Sequence, residues 1–292
     1  MNVALCFPIK NCEQYLKYIF KNIENLKQNI KEITFYCIFV YDECTDKSID
    51  ILNIYKMKNP KFTILQKIEN KSIHRTVRIA KARNVLLHIV YSLDNISAHI
   101  MIDTDDRCSP SWDISSIKYY LIHRFKDDDW DAMTFDRYIY YDIWALLFDN
   151  FKQHCYGFSV KNKTKEEKKR ILFKIRCVMR NVLIHKLKTE KSDCITVLSA
   201  FNGFGIYKTK RFKGIFYDGF YKNVKQLFTE SERHISLYIF HKLGFKDLIL
   251  DDDFITCCEH IFYHVLSIKK NNCKIRISKR KVIRTNKFIQ VS

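Results

Sequence analysis

Apolar and polar residues alternate between two periods along the first hundred positions. Residues 3–9 form an apolar run closed by Lys10-Asn11, as in a buried strand. Over residues 13–30, Tyr15, Leu16, Ile19, Phe20, Ile23, Leu26 and Ile30 recur at helical spacing. Residues 33–41 are nearly all apolar and β-rich, which predicts a strand buried on both faces. Thr45 or Asp46 is placed to cap a helix over 48–57. A strand over 61–68, a helix over about 72–93 and a strand over 99–102 follow. Strands alternating with helices imply an α/β fold built on a doubly wound, mostly parallel sheet with helices on both faces.

The second half is less regular. The pattern predicts a helix over 112–125, a strand over 130–135 and an aromatic-rich stretch over 136–146. A basic amphipathic helix follows over 165–188, then a strand with a glycine break over 194–207 and a helix over 229–243 stopping at Gly244. A strand over 245–250, the segment Cys258-Glu259-His260-Ile261-Phe262-Tyr263-His264 and the alternating Lys274-Ile275-Arg276-Ile277 complete the pattern. No repeat or linker divides the chain.

The apolar run ending at Ile102 delivers three carboxylates, Asp103, Asp105 and Asp106, within four residues. If the strand continues, Asp103 and Asp105 share a face while Asp106 points away. Paired hard oxygen ligands suit Mg2+ or Mn2+. Taken alone, the stretch reads equally as a strand ending in a solvated acidic turn. Asp42 and Glu43 mark a second acidic strand end. In open parallel sheets ligands sit beyond the carboxyl ends of the strands, so two such ends favour a ligand edge.

Charge narrows the partners. The net charge is +19, but residues 161–191 carry +9 and residues 269–292 another +9, which leaves the remainder nearly neutral. Two local basic segments fit local anionic contacts better than a nucleic-acid surface. The helix over 165–188 reads first as an amphipathic helix packed on the sheet with solvated lysines, with peripheral membrane contact as the alternative, and the basic tail is open to covering a diphosphate, to acidic lipid or to no specific role. Eleven cysteines without a C-x-x-C pair read as reduced thiols. No signal peptide or membrane-spanning run is visible, so the expected location is the cytoplasm or the cytoplasmic face of a membrane.

Four ordered blocks resemble the GT-A class of glycosyltransferases: Phe7-Pro8-Ile9-Lys10-Asn11, Tyr41-Asp42-Glu43-Cys44-Thr45-Asp46-Lys47-Ser48, Ala80-Lys81-Ala82-Arg83-Asn84 and Asp103-Thr104-Asp105. Tyr140-Tyr141-Asp142-Ile143-Trp144-Ala145-Leu146 and Ser199-Ala200-Phe201-Asn202-Gly203 are similar to blocks of fungal capsule-type mannosyltransferases. The resemblance implies one GT-A-like domain over 1–268, with a nucleotide-binding half at 1–110, an acceptor half at 111–268 containing the basic insert 161–191, and a tail at 269–292. It implies a metal-dependent transfer of sugar from a nucleotide-diphosphate sugar to a hydroxyl acceptor, a glycan, glycoprotein or glycolipid.

The resemblance also implies site roles. Asp103 and Asp105 hold the metal, with His260 or His264 completing its shell. Pro8, Asp42, Glu43, Arg83, Asn84 and Asp103 contact the nucleotide, Arg83 at the diphosphate, with Arg75 and Arg78 as weaker candidates. Tyr141, Asp142, Trp144, Asn202 and Gly203 line the sugar or acceptor site, and Glu232 is the general base. Two other classes remain beside it. A nucleotidyltransferase calls for a glycine-rich phosphate loop after the first strand, and Pro8-Ile9-Lys10-Asn11-Cys12 has no glycine. A non-catalytic basic nucleic-acid module would set the strand-end carboxylates against phosphate.

Overall fold

The computed structural model describes residues 1–153, 157–161 and 163–284. The first units are β1 (Asn2–Ile9), α1 (Glu13–Asn29), β2 (Thr34–Tyr41), α2 (Ser48–Lys58), β3 (Thr63–Lys67), α3 (Arg75–Ser92) and β4 (Ile96–Ile102). After them come α4 (Ile114–Lys118), which runs into a π-helical turn at Tyr119–His123, then β5 (Ala132–Asp136), β6 (Phe158–Val160), α5 (Lys165–Thr189) and β7 (Cys194–Val197). The remaining elements are β8 (Phe204–Lys208), α6 (Tyr221–Lys225), α7 (Glu230–Lys242), β9 (Leu248–Leu250), α8 (Glu259–Asn271) and β10 (Ile275–Lys281).

The main sheet has the order β3-β2-β1-β4-β8-β5-β10-β7, and β6 pairs with β9 in a separate ribbon. β3, β2, β1 and β4 are mutually parallel, β8 runs antiparallel to β4 and β5, β10 is parallel to β5, and β7 is antiparallel at the edge. The sheet is therefore mixed and mostly parallel, with helices on both faces. Pleating separates the two cores: Val3, Leu5 and Phe7 of β1 join α1 and α2, while Ala4 and Cys6 face α3 and α8. The ten cysteines among the described residues are free thiols.

Three expectations change. The single strand over 194–207 is two strands, β7 and β8, that lie apart in the sheet. Asn202 at φ 60° and Gly203 at φ 86° turn the chain between them through the left-handed region. The helix over 112–125 is shorter, because regular α geometry ends at Lys118. The basic tail is in part no tail: β10 is an interior strand between β5 and β7. Its apolar residues Ile275 and Ile277 are buried, and the acidic loop before β5 meets its cations, as where the Arg276 guanidinium donates to the Asp129 carbonyl at 2.8 Å. Residues 285–292 of the tail, and Asn162 in the basic insert, lie outside the described residues.

Candidate active site

Because β1, β2 and β4 are parallel, their carboxyl ends open on one edge. There they line a cavity of about 430 Å³, with Pro8, Ile9 and Lys10 from the end of β1 and the turn after it, Asp42 after β2, and Asp103, Thr104 and Asp105 after β4. α3 adds Arg75, Arg78 and Arg83. The segment after β5 adds Tyr141, Asp142 and Trp144, and the start of α8 adds Glu259 and His260.

Local bonds set the acidic turn. The Thr104 hydroxyl donates to the Pro8 carbonyl at 2.7 Å, and the Asp103 amide donates to the Gly203 carbonyl at 3.0 Å. β4 ends at Ile102, so the pleat does not extend to Asp105. Asp105 instead folds back, its Oδ1 accepting the amides of Arg107 at 3.0 Å and Cys108 at 3.1 Å. The turn still leaves both carboxylates on the cavity. Burial first, then the charges of Asp103 and Asp106, push the Asp105 carboxyl up to about 6. Asp106 faces outward and pairs with Arg107 at 3.3 Å.

Arg83 is only 3% exposed, and its Nη2 pairs with Asp103 Oδ1 at 2.7 Å. Its Nη1 contacts Glu259 Oε1 and His260 Nε2, and the guanidinium sits 4.7 Å from the Phe201 ring centre. Arg83 is thus a buried brace between two carboxylates, where the resemblance implied a bidentate diphosphate contact. Arg75 also lines the cavity, is exposed, and pairs with no carboxylate among the described residues, which leaves it open to an anionic ligand.

Both histidines implied as metal ligands are engaged by other side chains in this structure. The guanidinium of Arg83 can only donate, so His260 Nε2 accepts and its lone pair is occupied. The imidazole is fully buried, and burial holds its pKa well below the usual value. His264 lies in the core, with Nδ1 3.1 Å from the Ser199 hydroxyl and Nε2 3.1 Å from the Tyr207 hydroxyl. Burial lowers its pKa to about 3, so it is a neutral packing residue outside the cavity. The helical spacing that puts His260 and His264 on one face also puts that face into the core.

Glu232 is displaced too. It is the third residue of α7, where it forms a reciprocal cap with Thr229 and pairs with Lys152 at 2.9 Å. The Lys152 contact leads the causes that lower its carboxyl to about 2. It is absent from the cavity wall. Asp142 is on that wall, and its carboxyl is pushed up to about 7 by burial, then by Asp103 and Glu259.

The other implied residues act behind the wall. Asn84 accepts the Tyr217 amide at 2.7 Å and donates to the Tyr217 carbonyl at 2.9 Å. Asn202 accepts the Tyr141 amide at 3.2 Å and donates to the Phe135 carbonyl at 3.1 Å. Gly203 leaves room for Tyr141, because a Cβ there would lie 2.5 Å from its hydroxyl. The Glu43 side chain is exposed and off the cavity, and only its backbone carbonyl meets Lys10. Glu259 and Lys10 are wall residues that the motif blocks left without a role. Lys10 lies 3.8 Å from Asp42, and its place directly after an apolar strand was the available signal.

Two carboxylates, Asp103 and Asp105, face the cavity close enough to repel, which fits a divalent cation. Among the described residues no group of three or more His, Cys, Asp or Glu is arranged to hold a metal. Mg2+ is commonly held by one or two carboxylates plus substrate phosphates and water, so the pair fits an ion carried largely by its ligand.

No family model matches the sequence, and no curated protein matches it. Among solved structures the chain is similar to S. aureus TarS 1-349 in complex with UDP-GlcNAc, at 13% identity and a TM-score of 0.42, over 100% of this chain and 61% of that one. It is also similar to the mannosyltransferase PcManGT from Pyrobaculum calidifontis in complex with GDP-Man and Mn2+, at 12% identity and a TM-score of 0.37, over 74% and 47%. GalNAc-T7 with UDP, GalNAc and Mn2+ matches at 10% identity and 0.42, over 95% and 42%. The chain thus spans less than two thirds of each of these structures. The architecture is a mostly parallel eight-stranded sheet flanked by helices.

Proposed function

We propose that this protein is a glycosyltransferase that moves a sugar from a nucleotide-diphosphate donor to a hydroxyl acceptor. The observation that carries this reading is the convergence on one cavity of two metal-suited carboxylates, Asp103 and Asp105, with a third, Asp142, raised to about 7. Asp103 and Asp105 would hold Mg2+ or Mn2+, and the ion would supply charge neutralisation for the departing diphosphate. Asp42 accepts hydrogen bonds from the base or ribose, since a carboxylate only accepts. Pro8, Ile9 and Ile68 give the nucleoside an apolar wall. Arg75 meets a phosphate oxygen from the rim.

Asp142 takes over the role first assigned to Glu232. The acceptor oxygen attacks C1 of the sugar, the C1–oxygen bond to the diphosphate breaks, and the acceptor proton passes to the Asp142 carboxylate. A base with a pKa near the working pH suits this transfer, whereas a carboxylate near 2 holds a proton poorly. Tyr141 and Trp144, beside it on the wall, give the sugar or acceptor a flat surface to stack on.

The test is thermal denaturation with a panel of nucleotide sugars, with and without Mn2+, followed by turnover with the stabilising donor. A donor that stabilises more when the ion is present is the expected result. Asp142→Asn should lower kcat about 10²- to 10⁴-fold while donor stabilisation persists. Full turnover by Asp142→Asn would remove the assigned base, and a flat panel would remove the donor site.

A further inference from the structure

We propose that the outer face of α5, with the turn that ends α7, is a docking surface for an anionic lipid bilayer. α5 is 25 residues long, so it extends about 37 Å. Only Ile175, Met179 and Leu183 of it are buried. It carries nine Lys or Arg against Glu166 and Glu167. Phe173 is 56% exposed and Ile184 41% exposed, three helical turns apart on one side. At the end of α7, Leu243 is 53% exposed.

A second cavity, of about 350 Å³, joins these two elements. Its wall includes Ile171 and Lys174 from α5, and Leu243 and Lys246 from the turn. Among the described residues neither Lys174 nor Lys246 has a carboxylate partner, while Asp247 on the same wall is held by Lys163 at 3.4 Å. Two unpaired ammonium groups beside a recess suit a headgroup phosphate. Exposed Leu243 on the recess wall, and Phe173 and Ile184 on the exposed side of α5, suit the acyl boundary. A nucleic-acid partner would use the cations but gives bulky aliphatic side chains no role. This surface is independent of the strand-edge cavity, so its failure leaves the reading of that cavity intact.

The test is sedimentation of the full chain with phosphatidylcholine vesicles and with vesicles that also contain phosphatidylserine. Capture by the anionic vesicles alone, weakened by salt, is expected. The Lys174→Glu, Lys246→Glu double variant should bind them about 30-fold more weakly or worse, since each lysine near the surface contributes about fivefold. Phe173→Ser should reduce capture further at high salt, where insertion remains and attraction is screened. Unchanged melting temperatures for both variants confirm intact folds. Equal capture by both vesicle types, no capture by either, or full capture of both variants would overturn the proposal. So would RNA binding that displaces the vesicles and is insensitive to Phe173→Ser.

Discussion

Arg83→Met gives the most direct test of how the site is held together. The guanidinium lies between Asp103 and Glu259, at 3% exposure, so solvent screens these contacts little. Methionine keeps much of the side-chain volume and removes the charge. Breaking a buried pair from one side costs about 3–5 kcal/mol, because the partner charge stays behind without compensation. The cost should depend on pH. Burial already raises the Glu259 carboxyl and Arg83 opposes that rise, so removing Arg83 raises it further. A group whose folded pKa is raised contributes stability that is present below its unfolded pKa and lost as pH climbs through the folded value. The deficit of the variant should therefore be largest near about pH 8 and shrink toward about pH 5, by up to about 1.4 kcal/mol per unit within the titration window. Urea denaturation of both proteins at the two pH values measures it. A deficit under about 1 kcal/mol at the higher pH, or one of the same size at both, would refute the brace.

Other substitutions separate site from scaffold. Asp105→Asn should raise the stability of the ion-free protein near neutral pH by about 1–3 kcal/mol, because the wild-type carboxyl is forced to ionise above about 6 beside Asp103. The same change should abolish the extra donor stabilisation given by Mn2+, and an undiminished Mn2+ response in a melting assay would remove Asp105 as a ligand. Glu232→Gln should leave kcat unchanged and cost about 0.5–2 kcal/mol through the lost Lys152 pair and weakened cap. That loss should fade as pH falls through about 4 toward 2, since a depressed carboxyl stabilises only while ionised. Gly203→Ala should cost about 2–4 kcal/mol, from its φ of 86° and from a Cβ 2.5 Å from the Tyr141 hydroxyl. It should lower acceptor-side turnover with the donor thermal shift retained, which a melt and an initial-rate assay read together.

The sequence by itself determined the elements of the first half and the edge on which their strands end. Apolar periodicity reports which side of a segment is buried, and that is local information. It placed β1 to β4 with their helices, and it put Asp42, Asp103 and Asp105 at strand ends that a parallel sheet brings to one edge. The choice among carboxylates and histidines depended on contacts that periodicity does not encode. Glu232 stands three residues after Thr229, a spacing that already spelled a helix cap. His264 and His260 became core and brace residues because α8 packs its inner face on the sheet. Only the tertiary structure brought Glu259 within reach of Arg83, 176 positions away, and threaded Ile275–Lys281 between β5 and β7. Burial, strand order and the sharing of one guanidinium by two carboxylates arise from chain closure over long separations, and there the basic tail became a strand and Asp142, not Glu232, came to the cavity wall.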